Sequence, residues 1–273
     1  MDDSNRFHHE RYLGALSTTA IQRIDKRTAV LVQPIGAFEQ HGPHLPVITD
    51  ALTAERITAL AMRRLSITDN AWQLPTLAYG KSNEHLGRAG TVSMSASTLI
   101  AVCMDLGRSL AASGFTKLLF VNGHGGQPGL LELVARDIRV ETGMQVFCVM
   151  PSQFPLPEGI SQVDTSYGIH GGQIETSVVW ALAPEMVDMS AAVRDGDVVE
   201  QLYADSAHLS LEGVAPTAWV TDDLSLSGVF GDPTAANLQD GQSIVESQAA
   251  NLAELIGEVQ RFAFPTLGVT GGR

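Results

Sequence analysis

Apolar residues along this chain fall into short uninterrupted runs, and the stretches between them carry apolar residues at helical spacing. Ala29–Pro34 (Ala-Val-Leu-Val-Gln-Pro) is flanked by charges on one side and Gly36 on the other. Thr116–Val121 and Met144–Met150 repeat the pattern. Runs of about four to eight apolar residues predict strands buried on both faces of a parallel sheet. Leu52, Ile57, Leu60, Ala61 and Leu65 predict a helix over 51–65 with Asp50 as its N-cap. Similar spacing predicts a helix from about Ser95 to Ser113, stopped by Gly114, and another through Leu130, Val134 and Ile138 that ends near Gly143.

After Met150 the pattern loosens. Residues 151–170 are rich in Pro and Gly and predict irregular structure, and 209–232 reads as loop. Ile174, Val178, Ala181 and Leu182 predict a helix behind Gly171-Gly172, and Pro233–Phe262 reads as a terminal helical region. The recurring order of strand, glycine-rich loop, helix and strand is a βαβ unit. It predicts a parallel sheet with helices on both faces and a site beyond the carboxyl ends of its strands. No repeat or linker breaks the chain, so residues 1–273 are expected to form one domain with a short polar N-terminal tail and a frayed C-terminal one.

Charge narrows the partners. Lys plus Arg number 17 against 30 for Asp plus Glu, a formal charge of −13, which disfavours nucleic acid and anionic membranes. No apolar run approaches the roughly 18 residues of a membrane span. The opening Met-Asp-Asp-Ser-Asn lacks the basic-then-apolar order of a signal peptide. Cys103 and Cys148 each sit in an apolar run and read as buried thiols of a reducing compartment, so a cytoplasmic location is expected.

Candidate chemistry gathers in three glycine-marked places: Glu39, His41 and Asp50 after the first strand, His124 in Asn-Gly-His-Gly-Gly, and His170 with Glu175 at a helix start. In an extended segment Glu39 and His41 leave one face about 6.6–7 Å apart. That gap suits one ligand on each of two ions roughly 3.5–4 Å apart. Asp50 has two oxygens to bridge such a pair, and His124 and Glu175 would complete one ion each. Two imidazoles with three carboxylates favour Zn²⁺, Mn²⁺ or Fe²⁺. Taken singly, each residue has a plainer reading: Asp50 as a helix cap, Glu39 as a solvated loop acid, His41 and His44 as loop histidines, Glu175 as a first-turn acid favoured by the helix dipole.

The run Pro34-Ile35-Gly36-Ala37-Phe38-Glu39-Gln40-His41-Gly42-Pro43-His44-Leu45-Pro46 with Thr49-Asp50, the block Val121-Asn122-Gly123-His124-Gly125-Gly126, and the block His170-Gly171-Gly172-Gln173-Ile174-Glu175-Thr176-Ser177 together resemble the signature of the creatininase family over roughly residues 28–183. The resemblance implies a three-layer αβα sandwich with a mainly parallel central sheet. It implies two divalent ions per chain, with zinc the first choice and manganese or iron the alternatives, on Glu39, His41, Asp50, His124 and Glu175. His170 falls on the family's general acid/base.

Two departures stand out. Gly171 and Gln173 replace an alanine and a glutamate common in the third block, and Gly125-Gly126 stand where creatinine hydrolases proper carry Tyr-Glu. The chain is thereby nearer the formamide deformylase and mycofactocin-precursor peptidase branch. The implied activity is hydrolysis of a small-molecule C–N amide bond, in a cyclic amide or ureide, a lactam or a formamide, by water activated on the metals. A peptidase of short modified peptides, or a catalytically silent metal-binding member, is the alternative. His44, Glu84 and His85 are candidate substrate contacts, with a solvated loop as the other reading for the last two, and relatives imply a homohexamer. A phosphate-binding loop at Asn-Gly-His-Gly-Gly is a rival, but it lacks a P-loop lysine and a GxGxxG fingerprint.

Overall fold

The computed structural model describes residues 10–265; both expected tails lie outside them. In chain order the elements are α1 (Thr18–Gln22), β1 (Val30–Ile35), α2 (Thr49–Arg64), β2 (Ala71–Gln73), α3 (Ala96–Ala112), β3 (Lys117–Asn122), α4 (Pro128–Thr142), β4 (Gln145–Val149), α5 (Gln173–Leu182), α6 (Val198–Leu202), β5 (Leu209–Ser210), β6 (Ala215–Pro216), α7 (Thr221–Leu224) and α8 (Leu238–Arg261). The main sheet runs β2-β1-β3-β4, parallel throughout.

Alternation along the two central strands sends side chains to two separate cores. Leu31, Ile35, Leu118 and Phe120 pack against Leu99 and Cys103 of α3 and Leu131 and Ile138 of α4. Val30, Val32, Leu119 and Val121 face Ile57 and Ala61 of α2, Val178 of α5, and Ile244 and Leu252 of α8. Each large apolar side chain taken from water contributes about 1.5–3 kcal/mol, so both faces of β1 and β3 must be covered, and the result is the three-layer αβα arrangement.

Local chemistry sets the helix ends. Ser95 caps α3 by accepting from the Thr98 N–H, and Gly143 ends α4 in the left-handed conformation at φ 77°. Lys117, the first residue of β3, donates from Nζ to the carbonyls of Val259, Gln260 and Phe262, satisfying the last turn of α8.

Two expectations need correction. Asp50 is not an N-cap: the helix begins two residues earlier than expected, at Thr49 behind Ile48, and Asp50 lies in its first turn with its carboxylate turned to histidines. Cys148 is exposed, because β4 is an edge strand flanked by β3 alone; only Cys103 is buried. Among the described residues, no helix is long and apolar enough to cross a membrane.

The start of α2 is pressed onto the carboxyl ends of both central strands. A Cβ on Gly36 would fall far inside van der Waals contact with the backbone N of Ala51, and one on Gly123 would do the same to the carbonyl O of Asp50. Both obstacles are backbone and have no rotamer to escape into. Gly36→Ala and Gly123→Ala are therefore each expected to lose about 1–3 kcal/mol or more. Urea unfolding at equilibrium checks this, and unchanged midpoints would show that the joint is looser than described.

Candidate functional site

The five expected ligands meet at the carboxyl end of the sheet. His41 gives its Nδ1–H to the carbonyl of Glu39 at 3.1 Å, which turns Nε2 towards Asp50 Oδ1 at 3.1 Å, Glu175 Oε1 at 3.7 Å and Glu39 Oε1 at 3.9 Å. His124 gives its Nε2–H to the carbonyl of Lys81 at 2.9 Å, which turns Nδ1 towards Asp50 Oδ2 at 3.0 Å and Glu39 Oε1 at 3.3 Å. An outer nitrogen anchored on a backbone carbonyl, with the inner one facing carboxylates, is the usual orientation of metal-binding histidines.

Two donor groups share Asp50: Glu39, Asp50 and His124, and His41, Asp50 and Glu175. A third contains Glu39, His41 and His170. The side-chain ends of Glu39 and His41 converge to 3.9 Å, closer than the backbone spacing of an extended segment. Glu175 sits in the first turn of α5, and its Oε2 accepts the Gly171 N–H at 2.6 Å. Gly171 has φ 64°, a left-handed turn that lets the loop double back before the helix.

Charge is concentrated here. Glu39 is fully buried, and neither of its oxygens receives a hydrogen bond. Burial works to lower the His41 pKa, yet the carboxylates of Asp50, Glu175 and Glu39 outweigh it and hold the ring up at about 10. His124 is raised in the same way, with Glu39 and Asp50 overcoming burial. Burial tends to raise the Asp50 pKa, but His41 and His124 pull it below the usual carboxylate range. Burial raises that of Glu175. A buried carboxylate without donors is costly unless a cation faces it. Hard-to-borderline oxygen and imidazole donors packed this closely fit divalent ions well.

Above the cluster lies a cavity of about 740 Å³ whose wall includes Lys81, Glu84, His85, Met150, His170 and Trp219. His170 lies on the loop before α5; its Nε2–H donates to the Gln40 carbonyl at 2.6 Å, and Nδ1 stands 3.6 Å from Glu39 Oε1. Glu84 and His85 also face the cavity: Glu84 pairs with Lys81 Nζ at 3.0 Å and lies 3.6 Å from His124 Nε2.

His44 does not belong with them. It is buried off the cavity wall, with Nε2 2.9 Å from the Thr176 hydroxyl, and burial pushes its pKa down to about 4. It braces α5 against the loop behind β1. Gln40, Lys81, Trp219 and Thr221 were not among the expected site residues. Gln40, between Glu39 and His41, and Lys81, in the loop of Glu84 and His85, carried a positional signal; Trp219, on the cavity wall, and Thr221, behind His85, arrive through packing of a distant loop.

The family model described as Creatininase: Creatinine amidohydrolase matches residues 14–256. The chain belongs to the creatininase family. A mycofactocin precursor peptide peptidase of Mycobacterium ulcerans (strain Agy99) is 34% identical over 98% of either chain. A Bacteroides fragilis protein described as a candidate creatinine amidohydrolase superposes at TM-score 0.78 with 22% identity, over 94% of this chain and 100% of that one, which shows the fold. A variant creatininase solved in a Zn-Zn form superposes at TM-score 0.72 with 26% identity, over 93% of this chain and 100% of that one.

For this creatininase-family amidohydrolase, Asp50→Ala removes the residue common to two donor groups, whereas His44→Ala touches neither. Elemental analysis by plasma mass spectrometry is expected to find about two divalent ions per chain in the wild type and the His44 variant, and loss of both in the Asp50 variant. Full occupancy in Asp50→Ala would refute the shared-carboxylate assignment.

Proposed function

We propose that this protein is a metal-dependent peptidase that hydrolyses one amide C–N bond of a short peptide. The observation that carries the chemistry is the buried, donor-free carboxylate of Glu39, set among imidazoles and two further carboxylates at the floor of a cavity. Glu39, Asp50 and His124 would hold one divalent ion, and His41, Asp50 and Glu175 a second, with Zn²⁺ the first choice and Mn²⁺ or Fe²⁺ suited to the same donors. Bound there, the ions supply a Lewis acid for the scissile carbonyl and bring the pKa of water down towards about 7.

The protein's own part is proton handling and enclosure. Because the Nε2–H of His170 is spent on the Gln40 carbonyl, its Nδ1 lone pair faces the cluster. Burial first, and then His41 and His85, hold the ring well below the ordinary histidine pKa, so it is neutral and able to accept a proton. A proton taken from the attacking water at Nδ1 can be handed to the departing nitrogen from the same atom. The indole of Trp219 and the side chain of Met150 line the cavity and reduce the water competing for these polar groups.

Two observations support a peptide as substrate. The cavity, at about 740 Å³, lies within the range of about 300–1,000 Å³ typical of drug-sized ligands, whereas a cyclic amide or formamide would leave most of it unfilled. The likeness to a mycofactocin precursor peptide peptidase also extends over 98% of both chains.

Zinc-loaded protein incubated with a library of short peptides, products read by mass spectrometry, is expected to cut a subset at one bond and to stop when a chelator strips the metal. His170→Ala should keep its metal and lose about 10²- to 10⁴-fold in kcat. Turnover of cyclic amides or formamides with every peptide left intact would overturn the peptidase reading.

A further inference from the structure

His170 is the middle ring of three. Its centroid lies 4.1 Å from that of His41 on one side, with 32° between planes, and 4.3 Å from that of His85 on the other, with 20° between planes. His41 is fixed by its bond to the Glu39 carbonyl. His85 is held from both sides: its Nδ1 lies 2.7 Å from the Thr221 hydroxyl and 3.1 Å from the Gln40 amide nitrogen, its Nε2 stands 3.5 Å from Glu39 Oε1, and Trp219 meets the ring edge-on at 5.9 Å. Thr221 is itself tied to the Glu84 carbonyl at 3.0 Å. The next residue, Asp222, is held by Arg88, whose guanidinium also binds the carbonyls of Ser225 and Leu226.

We propose that His85 is a positioning residue: stacked on the open face of His170 and locked by Thr221, it keeps the His170 ring flat over the cluster with Nδ1 turned inward. The inference rests on the reading of His170 as the proton carrier. The physical case is steric. Both contacts of His170 Nε2, to the Gln40 carbonyl at 2.6 Å and to the Gln40 amide nitrogen at 3.1 Å, meet at that one ring atom, so the ring can pivot about it, and a ring walled on one side only can tilt away from the carboxylate floor. With a second ring about van der Waals distance away, that motion is blocked. His85 also lines the cavity, so a direct bond from its Nε2 to substrate is the competing role, and the two roles predict different behaviour when the nitrogens are removed but the flat ring is kept.

The experiment compares His85→Ala, His85→Phe and Thr221→Val in the zinc-loaded full chain. His85→Ala is expected to keep its metal and lose about 10- to 100-fold in kcat with KM little changed, and His85→Phe to recover most of that loss. Long-range proton–nitrogen NMR of the imidazoles should show a single Nε2–H tautomer for His170 in the wild type and the Phe variant, and exchange between tautomers in the Ala variant. Thr221→Val, which removes only the hydroxyl, should lower kcat and broaden the His170 signals even if His85→Ala fails to fold. A Phe variant as slow as the Ala variant, or His170 signals unmoved in Thr221→Val, overturns the positioning role. Wild type inactive on every peptide would refute the proposed substrate while leaving the NMR comparison decisive for His85.

Discussion

Burying a carboxylate costs several kcal/mol unless donors or a counter-charge meet it, and Glu39 is fully buried with neither oxygen hydrogen-bonded. Much of the surrounding architecture can be understood as a response to that single charge. Its Oε1 has nitrogens of His41, His85, His124 and His170 within 3.9 Å. Asp50 and Glu175 add negative charge instead of relieving it, and His41 and His124 are driven to hold protons by the carboxylates around them. Such a cluster is stable only where the scaffold forbids it to spread. The scaffold does so by pressing the first turn of α2 onto the ends of β1 and β3, at positions where glycine alone leaves room.

How much of this is legible in the sequence depends on whether a feature is local. The central strands announce themselves, since Val30–Ile35 and Lys117–Asn122 are buried on both faces and so read as unbroken apolar runs. The helices that cover them show their stripes, and the candidate ligands of the three glycine-marked blocks come together in the fold. Asp50 carried two readings in the sequence, a helix cap and a carboxylate shared between two donor groups. The cap reading fails, because the fold turns its oxygens to His41 and His124. His44 shows the converse error: close in sequence to His41, it points to Thr176 because the chain turns between them. Trp219 and Thr221 had no sequence signal, being brought to the cavity wall and to His85 respectively by a stretch, 220–228, that hydrogen bonds with Arg88 and Asp195 pin in place.

The acidic balance of the chain acquires a local meaning beside these facts. Lys81 is the one Lys or Arg among the described residues lining the cavity, and its ammonium is engaged by Glu84, so substrate charge is met mainly by whatever the floor carboxylates hold. Gly126 matters in the same way. A side chain there would collide with Glu84 and with the His124 ring, so the glycine pair leaves the Glu84 carboxylate room beside a candidate ligand. The resemblance to creatinine hydrolases implies a glutamate at that position, and under the proposed assignment Glu175, on a different element, would take its part.

That relocation would change how the molecule is tied together. Glu39 and Asp50 lie close together in sequence, but His124 and Glu175 come from distant segments, and Glu175 follows an irregular excursion after β4. An ion on the first donor group would be a reversible staple between the loop behind β1, α2 and the loop behind β3, and one on the second would tie α2 and the loop behind β1 to α5, each present only when these segments are already assembled. The binding energy of each would then be added to the folded state alone, growing by about 1.4 kcal/mol for each tenfold excess over the dissociation constant, so the durability of the fold would be set partly by how much metal its surroundings supply.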